Sequence, residues 1–378
     1  MLGGRMRRTS GAAMAGLVLV SLAACAGTGH SPGTSATPLP PEAAGAATAT
    51  SSGTQVRATD LATELDVPWG IDFFSNGDAL VSERDTGRIL RVPVRGTGGP
   101  VAGGPGVREL GRVAAVPSAE GGLLGVALSP DERYVYAYYS SDQANQLVRF
   151  AFDGKSLGRE EALLTGVPKA GIHNGGQVRF GPDGYLYVST GDAANGPAAQ
   201  DPTSLAGKIL RLTPEGKPAP GNAWGNEVYT IGHRNVQGLA WDDKGRMWAS
   251  ELGQNTWDEL NLITSGSNYG WPEVEGMGTR KGITDPMRTW NPGDASPSGL
   301  AWWRGSLWMG SLRGTTLWQV PIDAAGTTEA PVAHFKGEYG RLRAVGASGD
   351  AAPLVVGTSN RDGRGSPQPG DDRLLLVD

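Results

Sequence analysis

Beyond about residue 57 the chain repeats one arrangement of apolar and polar positions. A short apolar strand that opens on small residues is followed by a tight polar turn and then by a second strand of aromatic and β-branched residues. The first strands are Gly70-Ile71-Asp72-Phe73, Gly125-Val126-Ala127-Leu128, Gln177-Val178-Arg179-Phe180, Gly238-Leu239-Ala240-Trp241, Gly299-Leu300-Ala301-Trp302 and, more weakly patterned, Ala344-Val345-Gly346-Ala347. Their partners are Leu80-Val81, Val135-Tyr136, Leu186-Tyr187, Met247-Trp248, Leu307-Trp308 and Leu354-Val355. Turns such as Ser75-Asn76-Gly77-Asp78, Pro182-Asp183-Gly184 and Asp243-Lys244-Gly245 supply the Asn-Gly and Asp-Gly chemistry of hairpins. Second strands recur at intervals of 55, 51, 61, 60 and 47 residues, the length of a four-stranded propeller blade plus a loop. Six blades around one axis bury such strands on both faces and leave few free edges. The expected fold is therefore all-β, a six-bladed β-propeller of four-stranded blades over residues 57–378. Two separate β-sandwiches would not sustain a single period.

The first 56 residues follow a different pattern. Arg5, Arg7 and Arg8 precede an apolar run at residues 11–24, which is too short to span a bilayer and suits the hydrophobic region of a signal peptide. The run ends in Leu22-Ala23-Ala24-Cys25, which resembles the lipobox of bacterial lipoproteins. That resemblance implies cleavage after residue 24, lipidation of Cys25, and an extracytoplasmic protein held to the cell membrane only by its lipid anchor, two acyl chains making it stable. An ordinary signal peptide with a chance cysteine is the plainer alternative. Residues 25–56 are Ala, Gly, Ser, Thr and Pro with almost no large apolar side chain, and read as a disordered tether.

Composition narrows the chemistry. The 59 glycines and 26 prolines among 378 residues indicate many turns and little helix. A formal net charge of −5 supplies no field for nucleic acid or an anionic membrane surface. One cysteine excludes a disulfide framework and a thiolate metal cluster, and four histidines without an H-E-x-x-H spacing exclude that type of zinc site.

In a propeller, residues just before a first strand and just after a second strand meet on one face. Before first strands stand Glu120, His173-Asn174, Arg234-Asn235 and Arg341 with Arg343; after second strands stand Asp192, the run Glu251-Leu252-Gly253-Gln254, and Arg313. Register thus gathers an acid, a histidine and several guanidiniums at one mouth of the channel. The set suits a planar anionic ligand held by arginines, with a histidine set against an acid as general base. Taken singly, His173 could be a turn histidine satisfied by local backbone, Arg234 and Arg341 could be inter-blade ion pairs, and Asp258-Glu259 could be a solvated turn. Convergence on one face favours the site.

At these residues the chain resembles the soluble pyrroloquinoline-quinone (PQQ) dependent aldose sugar dehydrogenases of the glucose/sorbosone dehydrogenase family, over residues 65–378. The likeness is carried by Leu65-Asp66-Val67-Pro68-Trp69-Gly70, Glu120-Gly121-Gly122-Leu123-Leu124-Gly125, His173-Asn174-Gly175-Gly176, Gly191-Asp192, Gly207-Lys208-Ile209-Leu210-Arg211, Gly232-His233-Arg234-Asn235-Val236-Gln237-Gly238-Leu239, Asp258-Glu259-Leu260-Asn261, Asn268-Tyr269-Gly270-Trp271-Pro272 and Asp371-Asp372-Arg373. It implies that His173 takes the proton of the sugar C1 hydroxyl as hydride passes to the quinone, and that Asp192 orients it. It implies cofactor contacts from Arg234, Asn235, Arg341, Arg343 and Arg313, the last standing where the family often has lysine, and from Glu120, which stands where glutamine is usual and adds a negative charge. It further implies a calcium on backbone carbonyls at Gly253 and Gln254 that polarises the quinone, and a structural calcium on the Glu259 carboxylate and the Tyr269 carbonyl. The substrate is then an aldose, oxidised to its lactone, with electrons passed to an acceptor of unspecified identity. Ile172 stands where glucose-specific members have aspartate, which favours the broad-range group. Two other readings are an inactive propeller that binds sugar or a partner, and a propeller lactonase, against which the arginine-rich mouth speaks.

Overall fold

The computed structural model describes residues 56–94, 101–102, 106–278 and 280–378. The expected signal peptide, Cys25 and nearly all of the tether lie outside the described residues. Each predicted first strand is the innermost strand of a sheet: Pro68–Phe73, Leu123–Leu128, Val178–Phe180, Val236–Trp241, Pro297–Trp303 and Leu342–Gly346. Each predicted second strand pairs antiparallel with it: Ala79–Glu83, Tyr134–Ser140, Leu186–Ser189, Met247–Glu251, Ser306–Ser311 and Leu354–Thr358. The six sheets form the expected six-bladed propeller.

The small residues that open the inner strands are demanded by the axis, where neighbouring blades come closest. A Cβ at Gly125 would collide with the carbonyl oxygen of Gly176 in the next blade, and one at Gly299 would lie 2.6 Å from the Arg343 carbonyl oxygen. Away from the axis, side chains of adjacent sheets interleave. Trp248, Leu300, Leu307 and Met309 form one such buried layer, and Trp303, Trp308, Val345 and Leu354 another. Each large side chain buried in this way contributes about 1.5–3 kcal/mol relative to exposure.

The last blade departs from the regular pattern. Its inner strands are followed by Leu374–Val377, and the next strand outward is Ala58–Thr63, from the start of the described chain, paired antiparallel with Ala58 opposite Val377. The short strand Val101–Ala102 adds parallel to it, making this blade five-stranded. At one end of the channel, residues at the ends of the inner strands, Phe73, Leu128, Phe180, Trp241, Trp302 and Ala347, line an open cavity of about 1000 Å³. The residues of the expected site lie at the other end.

Candidate active site at the channel mouth

His173 lies in the loop leading to the third inner strand, in the left-handed region at φ 59°. Its Nδ1 is 2.8 Å from Asp192 Oδ1, and both side chains are nearly buried. Asp192 is itself held: Oδ2 accepts from Trp271 Nε1 at 2.8 Å and Oδ1 from the Ala194 amide at 2.8 Å. Because an ionised carboxylate only accepts, it places the proton on Nδ1 and leaves Nε2 of the neutral ring as the base. The loop is tied to the neighbouring blades by two further bonds. The His173 N–H donates to Glu120 Oε2 at 2.9 Å, and the Gly175 N–H donates to Asn235 Oδ1 at 3.0 Å.

The expected arginines gather in two groups. Arg234 donates from Nη1 to the carbonyls of Leu252 (3.0 Å) and Gly253 (2.6 Å), lies over the Trp271 ring at 5.4 Å, and keeps its buried Nε without a partner. The Asp192 N–H donates to the Arg234 carbonyl, so this arginine and the His173 pair share one backbone contact. On the other side, Asp362 Oδ2 accepts from Arg341 at 2.9 Å and from Arg343 at 3.1 Å, and Ser359 Oγ donates to the same oxygen. Burial pushes the Arg343 guanidinium down to about 10, opposed by Asp362. The Asp362 carboxyl is held at about 2, burial being outweighed by Arg343 and Arg341. Two guanidiniums share one carboxylate, so the group keeps surplus positive charge.

Glu120 joins the two groups. Its Oε1 accepts from Arg364 Nη1 at 2.7 Å, and Arg364 follows Asp362 by two residues, its own N–H donating to Asp362 Oδ1. Burial raises the Glu120 carboxyl, but the His173 N–H and Arg364 outweigh it and hold it below the ordinary value. The negative charge that Glu120 brings to the mouth is thus offset by Arg364. Arg313 is exposed; with Arg234 it lies close enough to Asp258 to oppose the effect of burial, which pushes that carboxyl up to about 6.

Glu259 is buried beneath the same face. It faces Glu251 across the paired second and third strands of the fourth blade, and Asn261 Nδ2 bridges the two at 3.1 and 3.3 Å. Burial and then the Glu251 charge push the Glu259 carboxyl well above the usual range. Asn261 Oδ1 is buried with no partner, and Tyr269 and Glu259 line the same small cavity. Glu251 lines that cavity with Glu259 and Tyr269, and two facing buried carboxylates are hard-oxygen donors of the kind that fits calcium. At Gly253 the fit is by carbonyl oxygens, one of which Arg234 already engages. Among the described residues no three His, Cys, Asp or Glu side chains converge as a metal cluster.

Sequence reasoning did not single out Asp362, Arg364 or Glu275 and used Trp271 only as part of a motif. Asp362 and Arg364 directly follow a second strand, the register that identifies Asp192, so a signal for them was present. Trp271 and Glu275 stand in a long loop outside any repeat.

A β-propeller whose one mouth presents a histidine–aspartate pair beside clustered arginines defines a site for general-base chemistry on an anionic ligand. Residues 65–374 match the family described as Glucose / Sorbosone dehydrogenase, and the chain belongs to it. The PQQ-bound aldose sugar dehydrogenase of Streptomyces coelicolor is 48% identical, with a TM-score of 0.80, covering 86% of this chain and 98% of that one. A putative oxidoreductase (glucose dehydrogenase) of Thermus thermophilus is 40% identical with a TM-score of 0.78, covering 85% and 100%. Quinoprotein glucose dehydrogenase B of Acinetobacter calcoaceticus is 32% identical over 247 residues, which is 55% of this chain and half of that protein.

Proposed function

We propose that this protein oxidises aldoses at C1 to their lactones with PQQ as cofactor and calcium as its companion ion. The observation that carries the reading is the buried, unpartnered Nε of Arg234 beside the His173–Asp192 pair: a site with surplus guanidinium donors next to a positioned base. PQQ, when bound, would supply the two-electron acceptor for the hydride, and the carbonyls of Gly253 and Gln254 would hold a calcium that raises its electrophilicity. Arg234, Asn235, Arg341, Arg343 and Arg313 are the residues that would hold the anionic cofactor. Nε2 of His173 takes the proton of the C1 hydroxyl, and Asp192 stabilises the resulting imidazolium through Nδ1–H. Trp271 fixes Asp192 so that the imidazole keeps its plane.

The test is reconstitution. Apoprotein supplied with PQQ and calcium is expected to reduce a dye when given aldoses. Cofactor uptake without turnover on any aldose of a panel would leave a binding propeller instead. A second expectation concerns Gly191, where a Cβ would collide with the His173 carbonyl oxygen. Gly191→Ala should displace the histidine loop and lower kcat by at least about 100-fold, with the β-sheet signal of circular dichroism retained; wild-type turnover would show that the loop can shift freely.

The placement of this enzyme is a further part of the proposal. Arg5, Arg7 and Arg8, the apolar residues 11–24 and Cys25 support export, lipidation and a tether through residue 56, which would set the propeller outside the cytoplasm.

A further inference from the structure

The loop after the second strand of the fourth blade carries an unusual bond pattern. One oxygen, Glu275 Oε1, accepts four consecutive backbone N–H groups: Gln254 (2.6 Å), Asn255 (3.1 Å), Thr256 (3.1 Å) and Trp257 (3.2 Å). Immediately before them the Gly253 N–H donates to Asp258 Oδ1 at 2.9 Å. The five consecutive amides from Gly253 to Trp257 are therefore drawn to carboxylates from outside that stretch, while the Leu252 N–H donates to the Asn235 carbonyl.

The consequence follows from peptide geometry. These peptides are trans, and in a planar trans peptide the C=O points opposite to the N–H of the next residue. Fixing the Gln254 N–H on Glu275 fixes the Gly253 carbonyl on the far side, and fixing the Asn255 N–H does the same for the Gln254 carbonyl. The Gly253 N–H on Asp258 likewise aims the Leu252 carbonyl. Arg234 confirms the direction, since its Nη1 rests on the carbonyls of Leu252 and Gly253. The loop has little room to adopt another shape: a Cβ on Gly253 would collide with the Trp257 carbonyl oxygen and come within 2.7 Å of Glu275 Oε1. Glu275 is anchored in turn by its own segment, where Trp271 binds Asp192 and the Gly276 N–H donates to Glu259 Oε1.

We propose that Glu275 is a positioning residue for the cofactor's metal: by gathering the N–H groups of residues 254–257 it turns the carbonyls of Gly253 and Gln254 toward the mouth, where they can hold a divalent cation. The inference rests on the proposed calcium role of those carbonyls. It assigns the rigidity of that site to a carboxylate that never touches the ion.

The experiment uses the full chain, freed of cofactor and metal, with Glu275→Gln and Glu275→Ala. PQQ uptake is followed by its absorbance at fixed PQQ while calcium is titrated. Half-maximal uptake should need about 10–100-fold more calcium in Glu275→Ala, with a smaller shift in Glu275→Gln, whose neutral oxygen still accepts N–H bonds more weakly. Amide hydrogen exchange at residues 254–257, measured without PQQ or calcium, should accelerate in both variants. Coincident calcium curves, or unchanged exchange in both variants, would overturn the proposal. Exchange that accelerates in protein whose parent form takes up no PQQ at any calcium concentration would instead sink the cofactor reading, and with it the metal role of Glu275. Lowered thermal stability with an unshifted calcium curve would reduce Glu275 to a structural residue and also overturn it.

Discussion

His173→Ala is expected to lower kcat by about 10²–10⁴-fold, the range for loss of a positioned general base, in a protein that folds and binds PQQ as the parent does. The fold should survive because the bonds that hold the loop are made by backbone: the His173 N–H to Glu120, the Ala193 N–H to the His173 carbonyl, and the Gly175 N–H to Asn235. None needs the imidazole. Asp192 keeps its bonds to Trp271 and Ala194 after the change. Stopped-flow reduction of the reconstituted protein by an aldose, together with a thermal melt, separates the two effects. A variant that turns over at the parent rate would remove the imidazole from the chemistry.

The second large effect is expected at Asp362. Its carboxylate is the shared partner of Arg341 and Arg343, the latter buried, and removing one partner of a buried ionic group costs about 3–5 kcal/mol because the remaining charges lie uncompensated. Asp362→Ala should lose that much in urea denaturation at neutral pH. PQQ should then return part of it, since a ligand that binds only the folded state stabilises it by mass action and its carboxylates can take over the arginines. The pH dependence has a defined sign. The carboxyl is depressed from 3.8 to about 2, so its contribution is complete above about pH 4 and is lost as the pH falls through about 2. The parent should show this acid limb and Asp362→Ala should lack it. Equal stability of the two proteins across that window would mean that the arginines do not depend on Asp362.

The parts of this molecule that were legible in the sequence are those the repeat controls. Inner and second strands could be placed because each blade restates the same alternation and the same turn residues, and the site residues could be grouped because His173 and Arg234 stand just before the inner strands of successive blades while Asp192 stands just after the second strand of the His173 blade. The closing strand could not be read: Ala58–Thr63 carries no hairpin signal, and its partner Leu374–Val377 is more than 300 residues away. The Asp362–Arg364 segment obeys the register rule yet looked like an ordinary polar turn, since Asp362 meets Arg341 and Arg343 only when the sixth blade's own hairpin forms, and Arg364 meets Glu120 only once the ring brings the second and sixth blades to the same mouth. Glu275 was opaque for another reason. Its role depends on the direction of peptide planes, a property that side-chain identity does not encode.

The manner in which the ring is fastened bears on how the protein is made. The sixth sheet needs both ends of the described chain, so a ribosome that has released five complete blades has still produced only an open arc. The inner strand Pro68–Phe73 lacks its flank against Leu342–Gly346 until those residues have been made, and until then Ala58–Thr63 has only the two-residue strand Val101–Ala102 to pair with. Contacts that join such distant segments are slow to form. Closure of the ring therefore waits for these distant segments, and a polypeptide lacking Leu374–Val377 would retain a seam open to aggregation.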